Sequence, residues 1–600
     1  MEKGNILYYH SAYMTFYYIF KLMGGIFMSK KRILSLLLAS SLVVTAFVGC
    51  GSKSEGNGGS NSSSSSSDID DEQVLNTIYF NVATLDQNDC TDSESSTILN
   101  AVQEGLVRVY TNEDGTSELQ PAGAESWETS EDGLTWTFKL RKDAKWSDGE
   151  PVVAQHYVDS FMRILNPDNG FAYAFLAYDI EGAEEYNTAG GSADAVGVKA
   201  VDDYTLEIKL KTVVPYIISK ISYSSFNPIR LDVVEKLGDK YASEVNDTVY
   251  NGPFKIESWD NGNSMVLVKN DTYWDADTVK LEKINMTNVK EFATQAQLFE
   301  GQELDISGAQ TDYLDKWREQ AEAGEFQMVT GDEPGAFYLY FNQTSKTSDG
   351  ILGNAKIRKA IGLSIDRDVY TDELVGRFTS AYGIVPTAIN LGDEKYRDQV
   401  EEPLADDAKT YVNNPEKLQE LFKEGLKELG LQTDDLSKYT LTYLCQGDSE
   451  LQKQRAEWLA QQISGNLGIN IEVETQGDWG IFLNAMDKLE YDFTMTGWSA
   501  DYDDPMTFLD IWESNGGNNH SGYASAEYDE LLASLSGVTD ETERKEIYEN
   551  LENKLIDEDA VISPVYYTDK NSFVQNYVKG MQFPSFGSKY EFKWAYIQGK

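Results

Sequence analysis

The residues from 440 to 498 alternate between two hydrophobic periods, and this order constrains the fold more than any other feature of the sequence. Three segments have the two-residue alternation of β-strands: TLTYLCQ (440–446), INIEVET (469–475) and YDFTMTGW (491–498). Between them lie LQKQRAEWLAQQISGNL and IFLNAMDKL, which have helical spacing. The order β-α-β-α-β predicts a largely parallel sheet with right-handed crossovers, and therefore an α/β fold.

The longer of these helices shows the clearest pattern. Its predicted buried face is formed at i, i+3, i+4 and i+7 by Ala456, Leu459, Ala460 and Ile463. Gly468 follows directly and is a typical helix stop. The second strand should present Ile469, Ile471 and Val473 on one side.

The segment after the third strand is the predicted position of a binding site, because open α/β sheets bind ligands beyond the carboxyl ends of their strands. It reads SADYDDP from Ser499 to Pro505 and contains three carboxylates, of which Asp504 directly precedes the proline. Asp501 could contact a ligand or could cap its own turn, and Asp504 is better suited to forming the turn.

An earlier part of the chain has a different character. In LTWTFKL (134–140), the apolar residues occupy one face and Thr and Lys the other, as in a half-buried strand. The turn sequences EDG and SDG flank this strand and predict an antiparallel meander.

Composition excludes several function classes. The chain has 600 residues, too many for one hydrophobic core, and a formal net charge of −49, which would repel nucleic acid. It has three His and three Cys without ligand-type spacing, so neither a metal centre nor a Cys or His nucleophile is expected. We expect Cys90 and Cys445 to be free thiols and the protein to need no cofactor.

The N-terminal 70 residues read as export and anchoring signals. Lys30, Lys31 and Arg32 precede an apolar run that ends in VGC at Cys50, which predicts that residues 1–49 comprise an upstream segment and a signal peptide, with translation starting at Met28. Cys50 would carry a diacylglycerol, and residues 50–70 would form a flexible Ser/Gly tether. An ordinary secreted protein with a chance cysteine is the alternative.

Five blocks in order resemble the family 5 extracellular solute-binding proteins, the oligopeptide-binding and dipeptide-binding components of ABC importers. They are GAESWETSEDGLTWTFKLRKDAKWSDGEPVVAQHYVDSF (123–161), YNGPFKIESW (250–259), KNDTYWD (269–275), AKIRKAIGLSIDRD (355–368) and GWSADYDDPMTFLDIW (497–512). The resemblance extends from about Thr77 to the C-terminus.

This resemblance implies a two-lobe, type II periplasmic-binding-protein fold that closes about a hinge. Lobe I would comprise residues 71–112, 236–334 and 566–600, and lobe II residues 335–565. Residues 113–235 would form an extra subdomain of the N-terminal lobe.

The resemblance also implies a function and its residues. The protein would bind an oligopeptide between its lobes and deliver it to the permease and ATPase subunits of an importer, as a monomer on the extracytoplasmic face of the membrane. Asp501 would pair with the peptide α-amine, Thr496 and Gly497 would offer backbone, and Trp498 and Tyr502 would form an apolar wall. An oligosaccharide-binding protein of the same fold is the main alternative. A surface hydrolase and a structural adhesin are further alternatives.

Overall fold

The computed structural model describes residues 69–79, 82–112, 117–243, 245–376, 378–514 and 516–600. The predicted signal peptide, Cys50 and nearly all of the predicted tether lie outside the described residues. Within these ranges no helix is long and apolar enough to cross a membrane. The same ranges contain no group of His, Cys, Asp and Glu side chains that could hold a metal ion.

Three sheets organise the described chain. The strands are β1 Val74–Ile78, β2 Val107–Thr111, β3 Ser117–Pro121, β4 Ala124–Thr129, β5 Thr135–Leu140, β6 Val198–Asp202, β7 Thr205–Lys209, β8 Phe254–Asp260, β9 Ser264–Lys269, β10 Lys283–Thr287, β11 Ile306–Gly308, β12 Gln327–Phe341, β13 Thr379–Ser380, β14 Asn390–Leu391, β15 Glu394–Lys395, β16 Thr440–Gln446, β17 Asn470–Gln476, β18 Phe493–Ser499, β19 Ile562–Val574, β20 Val578–Lys579 and β21 Tyr596–Ile597. The first sheet has the order β1-β10-β9-β8 and the second β4-β5-β7-β6. The third has the order β11-β19-β12-β18-β16-β17, with β13 paired to β19. Strands β2 with β3, β14 with β15 and β20 with β21 form separate pairs.

Helices cover these sheets. The α-helices are Ser93–Val102, Ala154–Ile164, Ala183–Thr188, Ile217–Lys220, Leu231–Leu237, Phe292–Glu300, Thr311–Glu322, Ala355–Leu363, Arg367–Val369, Ala405–Tyr411, Pro415–Glu428, Glu450–Leu467, Trp479–Asp487, Met506–Leu509, Ala526–Ser534 and Glu541–Asn553. Each sheet has its own buried cluster of apolar side chains, and the cluster of the third sheet is built around β12, β18 and β19.

The third sheet confirms the β-α-β-α-β pattern, but it is not largely parallel as predicted. Strand β16 pairs in parallel with both β17 and β18, as the order of hydrophobic patterns predicted. However, β18 pairs antiparallel with β12, and β12 pairs antiparallel with β19, so the sheet is mixed. Strands β12 and β19 lie far from β16–β18 in the sequence, and local hydrophobic periodicity cannot predict pairing between such distant segments.

The helix Glu450–Leu467 matches its prediction. Its face of Ala456, Leu459, Ala460 and Ile463 is buried, and Gly468 ends it in the left-handed conformation at φ +78°. The prediction for the second strand was less accurate. Ile469 is buried but Val473 is 36% exposed, because β17 lies at the edge of the sheet and has a neighbour on one side only.

The second sheet is antiparallel throughout, as predicted, but its order is not that of a meander, because β5 pairs with β7 and β6 lies at the edge. In β5, Phe138 and Leu140 are buried while Trp136 is half-buried. Cys90 and Cys445 are both buried and unpaired, as expected.

Two long strands connect the third sheet to the region of the first. The C-terminal half of β19 pairs with β11 and with the start of β12, and its N-terminal half pairs with the end of β12. The ladder between β12 and β19 is interrupted between Asp332 and Ala336, where Thr568 donates a hydrogen bond of 3.4 Å to the Gly335 carbonyl. The register shifts again between Phe337 and Tyr338, so this ladder is irregular at two steps, and such irregular steps are suited to a hinge.

Candidate functional site

The loop after β18 is fixed at both ends. The Ala500 amide donates to the Pro334 carbonyl at 2.8 Å, and the Asp501 amide donates to Thr507 Oγ1 at 3.2 Å. Pro505 then starts the short helix Met506–Leu509. The loop therefore holds Asp501 in one position at the carboxyl end of β18.

The carboxyl group of Asp501 is buried, and only one of its two oxygens has a hydrogen-bond partner. Its Oδ1 accepts a hydrogen bond of 3.4 Å from the hydroxyl of Tyr173, whereas Oδ2 is buried without any hydrogen-bond partner. Only 5% of the residue is exposed. A buried carboxylate oxygen without a partner is costly, so this atom marks a place where a donor or cation is missing.

The surroundings of Asp501 are aromatic and come from distant parts of the chain. The ring of Tyr173 lies 6.2 Å from that of Trp498 and 5.6 Å from that of Tyr223, measured between centroids. Cys90 lies near enough for its thiol and Asp501 to influence each other electrostatically. The surroundings of Asp501 therefore come from a residue near the start of the described chain, from the segment before β6, from the segment after β7 and from β18 itself.

Burial raises the pKa of Asp501 well above its usual range, and the carboxylate of Asp510 raises it further. The hydroxyl groups of Tyr173 and Tyr223 oppose this rise, and so does Lys220. Lys220 itself binds Asp179 at 2.7 Å. A cation placed beside Oδ2 would stabilise the ionised form of Asp501.

The two neighbouring carboxylates differ from Asp501 because their oxygens are occupied. Asp503 accepts from the backbone amide of Asn390 at 2.9 Å and from its side chain at 2.6 Å. Asp504 accepts from Tyr548 at 2.6 Å and from the Met506 amide at 3.1 Å, and it forms a buried ion pair with Arg544. Both therefore hold the loop in place.

The two aromatic residues of the loop have different surroundings. Trp498 is half-buried, and its indole Nε1 is buried without a hydrogen-bond partner. Tyr502 is fully buried, stacks on Tyr216 and donates to Asp510 Oδ2 at 3.1 Å. These contacts account for the position of Tyr502, and its contact with a ligand stays a prediction.

Thr496 and Gly497 lie on a strand with an unpaired edge. β16 pairs with β18 only at Tyr443 with Phe493 and at Leu444 with Thr494. Past Thr494, no strand of the described chain pairs with β18 on that side, although β12 pairs with it on the other. Thr496, Gly497 and Trp498 are half-buried there. This edge can hydrogen-bond to one extended chain through backbone groups alone.

The sequence did not indicate Tyr173, Tyr223 or Cys90 as site residues. Tyr173 lies in the segment FAYAFLAYDI (171–180), which contains no motif, and more than 300 residues separate it from Asp501. Only the tertiary structure brings these residues to the carboxyl group.

The site combines a buried carboxyl group among aromatic rings with an unpaired backbone edge along β18. A carboxylate facing an ammonium group in such a place makes a charge-assisted hydrogen bond, typically about 1.5–3 kcal/mol. The buried Trp498 indole offers a donor for a nearby carbonyl. None of the described side chains at the site forms a nucleophile and base pair.

Comparisons with known proteins identify the family of this chain. The family model for bacterial extracellular solute-binding proteins, family 5 (Middle), matches residues 118–520. The oligopeptide-binding protein OppA of Bacillus subtilis is 32% identical over 95% of this chain and 100% of its own length.

Two solved structures are similar over 88% of this chain and all of theirs. The substrate-binding domain of an oligopeptide ABC transporter from Bacillus anthracis has a TM-score of 0.79 at 34% identity. The peptide-bound OppA of Listeria monocytogenes has a TM-score of 0.78 at 31% identity. These similarities confirm the predicted α/β fold of the type II periplasmic binding proteins.

Proposed function

Because this chain belongs to family 5 of the bacterial extracellular solute-binding proteins, we propose that it captures oligopeptides outside the cell and delivers them to the permease of an ABC importer. It is a binding protein and carries out no catalysis. Its partners are a peptide, the permease and ATPase subunits, and the membrane that anchors it.

The observation that carries this proposal is the unpaired Oδ2 of Asp501 in its aromatic pocket. Every peptide with an unmodified N-terminus offers an ammonium group to this atom. The indole Nε1 of Trp498, which has no hydrogen-bond partner among the described residues, would donate to a peptide carbonyl. A neutral oligosaccharide offers no cation, and the orphaned carboxylate therefore favours a peptide over that alternative.

Backbone recognition accounts for the rest of the peptide. The unpaired edge of β18 from Met495 to Trp498 would add the peptide as a further strand. Main-chain hydrogen bonds do not depend on side-chain identity, so they suit a protein that captures many sequences. Thr496 and Gly497 take part through their backbone groups.

Ligand capture proceeds by closure about the two long strands. We assign residues 71–112, 236–334 and 566–600 to lobe I, 113–235 to its extra subdomain and 335–565 to lobe II. β12 and β19 cross this boundary near Gly335 and Thr568. A peptide held by Asp501 on lobe II and by aromatic residues of the subdomain stabilises the closed form, because only that form offers both sets of contacts.

Anchoring follows from the N-terminal sequence. Diacylglycerol on Cys50 tethers the protein to the extracytoplasmic face of the cell membrane, and the Ser/Gly segment lets the folded part reach its permease.

Mass spectrometry of ligands that co-purify with residues 51–600 tests the proposal directly. The ligands are released by denaturing the purified protein. We expect a ladder of short peptides with unmodified N-termini. Oligosaccharides would contradict the proposed ligand and the role of Asp501, whereas cleavage of added peptides or glycans by the purified protein would contradict a pure binding role.

A further inference from the structure

Three residues form one row across three strands of the third sheet, next to the unpaired edge of β18. Tyr566 of β19 pairs with Phe337 of β12, and Phe337 pairs with Gly497 of β18. Cross-strand partners point their side chains to the same face of a sheet. The row therefore continues from two aromatic residues to a glycine and then to the edge where the peptide would bind.

The ring of Phe337 leans over the glycine toward that edge. A Cβ atom built on Gly497 would lie 2.7 Å from Cδ2 and 2.8 Å from Cε2 of the Phe337 ring, too close for any side chain. Because residue 497 is glycine, the ring of Phe337 can occupy the space that a side chain at this position of β18 would fill. A peptide strand added to β18 would place one residue in this row, with the Phe337 ring beside its side chain.

Further rings extend and support this surface. Tyr566 stacks on Phe337 with centroids 4.8 Å apart and planes 9° apart. Phe378 stacks on Tyr566 at the same distance with planes 3° apart. We name Phe337, Tyr566 and Phe378 the aromatic shelf. On the same face of β18, Met495 accepts a hydrogen bond of 3.7 Å at its sulfur from the Tyr370 hydroxyl.

The backbone is strained to hold one member of the aromatic shelf. Phe378 has φ +83°, a conformation that bulky residues rarely adopt. It precedes β13, which fixes the next two residues by pairing Ser380 with Tyr566 and Thr379 with Tyr567. Such strain persists where the surroundings dictate the conformation, and it is frequent at ligand-binding positions.

We propose that the aromatic shelf selects peptides with an apolar side chain at the position that enters the row. The three rings offer apolar contact and carry no charge that could pair with Lys or Glu, so they favour Leu, Ile, Met or Phe at that position. Because strand side chains alternate, the preference recurs at most at every second peptide residue. This proposal rests on the proposed peptide-binding function and narrows its substrate class.

The test uses calorimetry on residues 51–600 with alanine tetrapeptides that carry one Leu, Lys or Glu at each position in turn. We expect Leu to bind at least about tenfold more tightly than Lys or Glu at one position, or at two positions separated by one residue. Phe337→Thr removes the ring but introduces a β-branched residue that favours strands. It should reduce this preference to less than about threefold. Phe337→Tyr should keep the preference because it keeps the ring.

A second variant guards against a folding defect in the first. Phe378→Asn removes a ring of the aromatic shelf but suits the left-handed backbone, so its fold should remain intact while the Leu preference decreases. Equal affinities for all tetrapeptides, or an unchanged Leu preference in both variants, would overturn the selective role of the aromatic shelf. Either result would leave peptide binding intact, whereas an absence of any peptide binding would contradict the proposed function itself.

Discussion

Tyr216 and Tyr502 stack face to face, with ring centroids 5.2 Å apart and planes 7° apart. Tyr216 precedes the helix Ile217–Lys220, and Tyr502 directly follows Asp501. The Lys220 ammonium lies 5.4 Å from the Tyr502 ring, and the Arg544 guanidinium lies 5.4 Å from the Tyr216 ring. The loop that carries Asp501 is therefore also the loop that holds the proposed subdomain against the proposed lobe II.

Breaking this stack should weaken capture of all peptides alike. Tyr216→Ala removes the ring contact, worth about 0.5–1.5 kcal/mol beyond its buried area, and so destabilises the closed form by a factor of about 3–10. Calorimetry with free and N-acetylated peptides should show the same loss for both. Tyr216→Phe should bind as the parent does. A loss confined to free-amine peptides would place Tyr216 in the amine site instead.

Removing the charge of Asp501 should weaken binding of free-amine peptides by about 10–100-fold, the value of one charge-assisted hydrogen bond. The change is Asp501→Asn, and its thermal stability should stay close to that of the parent because no buried ion pair is lost. N-acetylated peptides should bind the parent poorly. Their affinity for Asp501→Asn should be almost the same as their affinity for the parent.

Asp504→Asn is the matched control. It leaves the buried Arg544 without its partner and should cost about 3–5 kcal/mol of unfolding free energy. It should not change the ratio of affinities for free and acetylated peptides. If the parent binds both peptide forms equally, Asp501 does not recognise the α-amine.

Peptide affinity should pass through a maximum as pH changes. Burial raises the pKa of Asp501 above its ordinary value of 3.8, and a bound ammonium group lowers that pKa again. Binding therefore releases a proton from Asp501, so affinity increases as pH rises through the pKa of the unliganded form. Above about pH 8 the peptide α-amine loses its charge and affinity falls.

Calorimetry in buffers of different ionisation enthalpy measures the proton release on the acid side. Asp501→Asn should lose the acid limb and keep the alkaline one. An acid limb of the same size in this variant would assign the titration to another group.

Peptide binding should protect one thiol more than the other. Residues 51–600 contain Cys90 and Cys445, and both are buried. Burial raises the pKa of Cys445 to about 11 and that of Cys90 further, so both should react slowly with iodoacetamide. Cys90 is near Asp501, and closure over a peptide should slow its alkylation by at least about tenfold.

Alkylation is followed by mass spectrometry with and without peptide, in the parent and in Cys445→Ser. The rate at Cys445 should change little because the helix Glu450–Leu467 covers it in either form: its thiol lies 3.8 Å from the Gln452 carbonyl. Equal protection of both thiols would point to a general tightening of the fold rather than to closure over Asp501.

The sequence by itself determined the local structure of the third sheet. The spacing of Ala456, Leu459, Ala460 and Ile463 identified a buried helix face, and Gly468 marked its end. The three strands that pair in parallel also followed from periodicity, as did the position of the loop from Ser499 to Pro505 at their carboxyl ends. Backbone conformation and side-chain period are local properties, so consecutive residues suffice to indicate them.

Only the tertiary structure decided which strands lie side by side and which carboxylate lacks a partner. Val473 is exposed because no strand of the described ranges pairs with the outer edge of β17, and the residues next to Val473 in the sequence do not show this. Local sequence alone shows three carboxylates within four residues, Asp501, Asp503 and Asp504, and does not show which of them is left without a partner. They differ because Asn390, Arg544 and Tyr548 fold against two of them, while the third meets the Tyr173 hydroxyl. Burial and pairing depend on neighbours in space, and here those neighbours lie from 40 to more than 300 residues away along the chain.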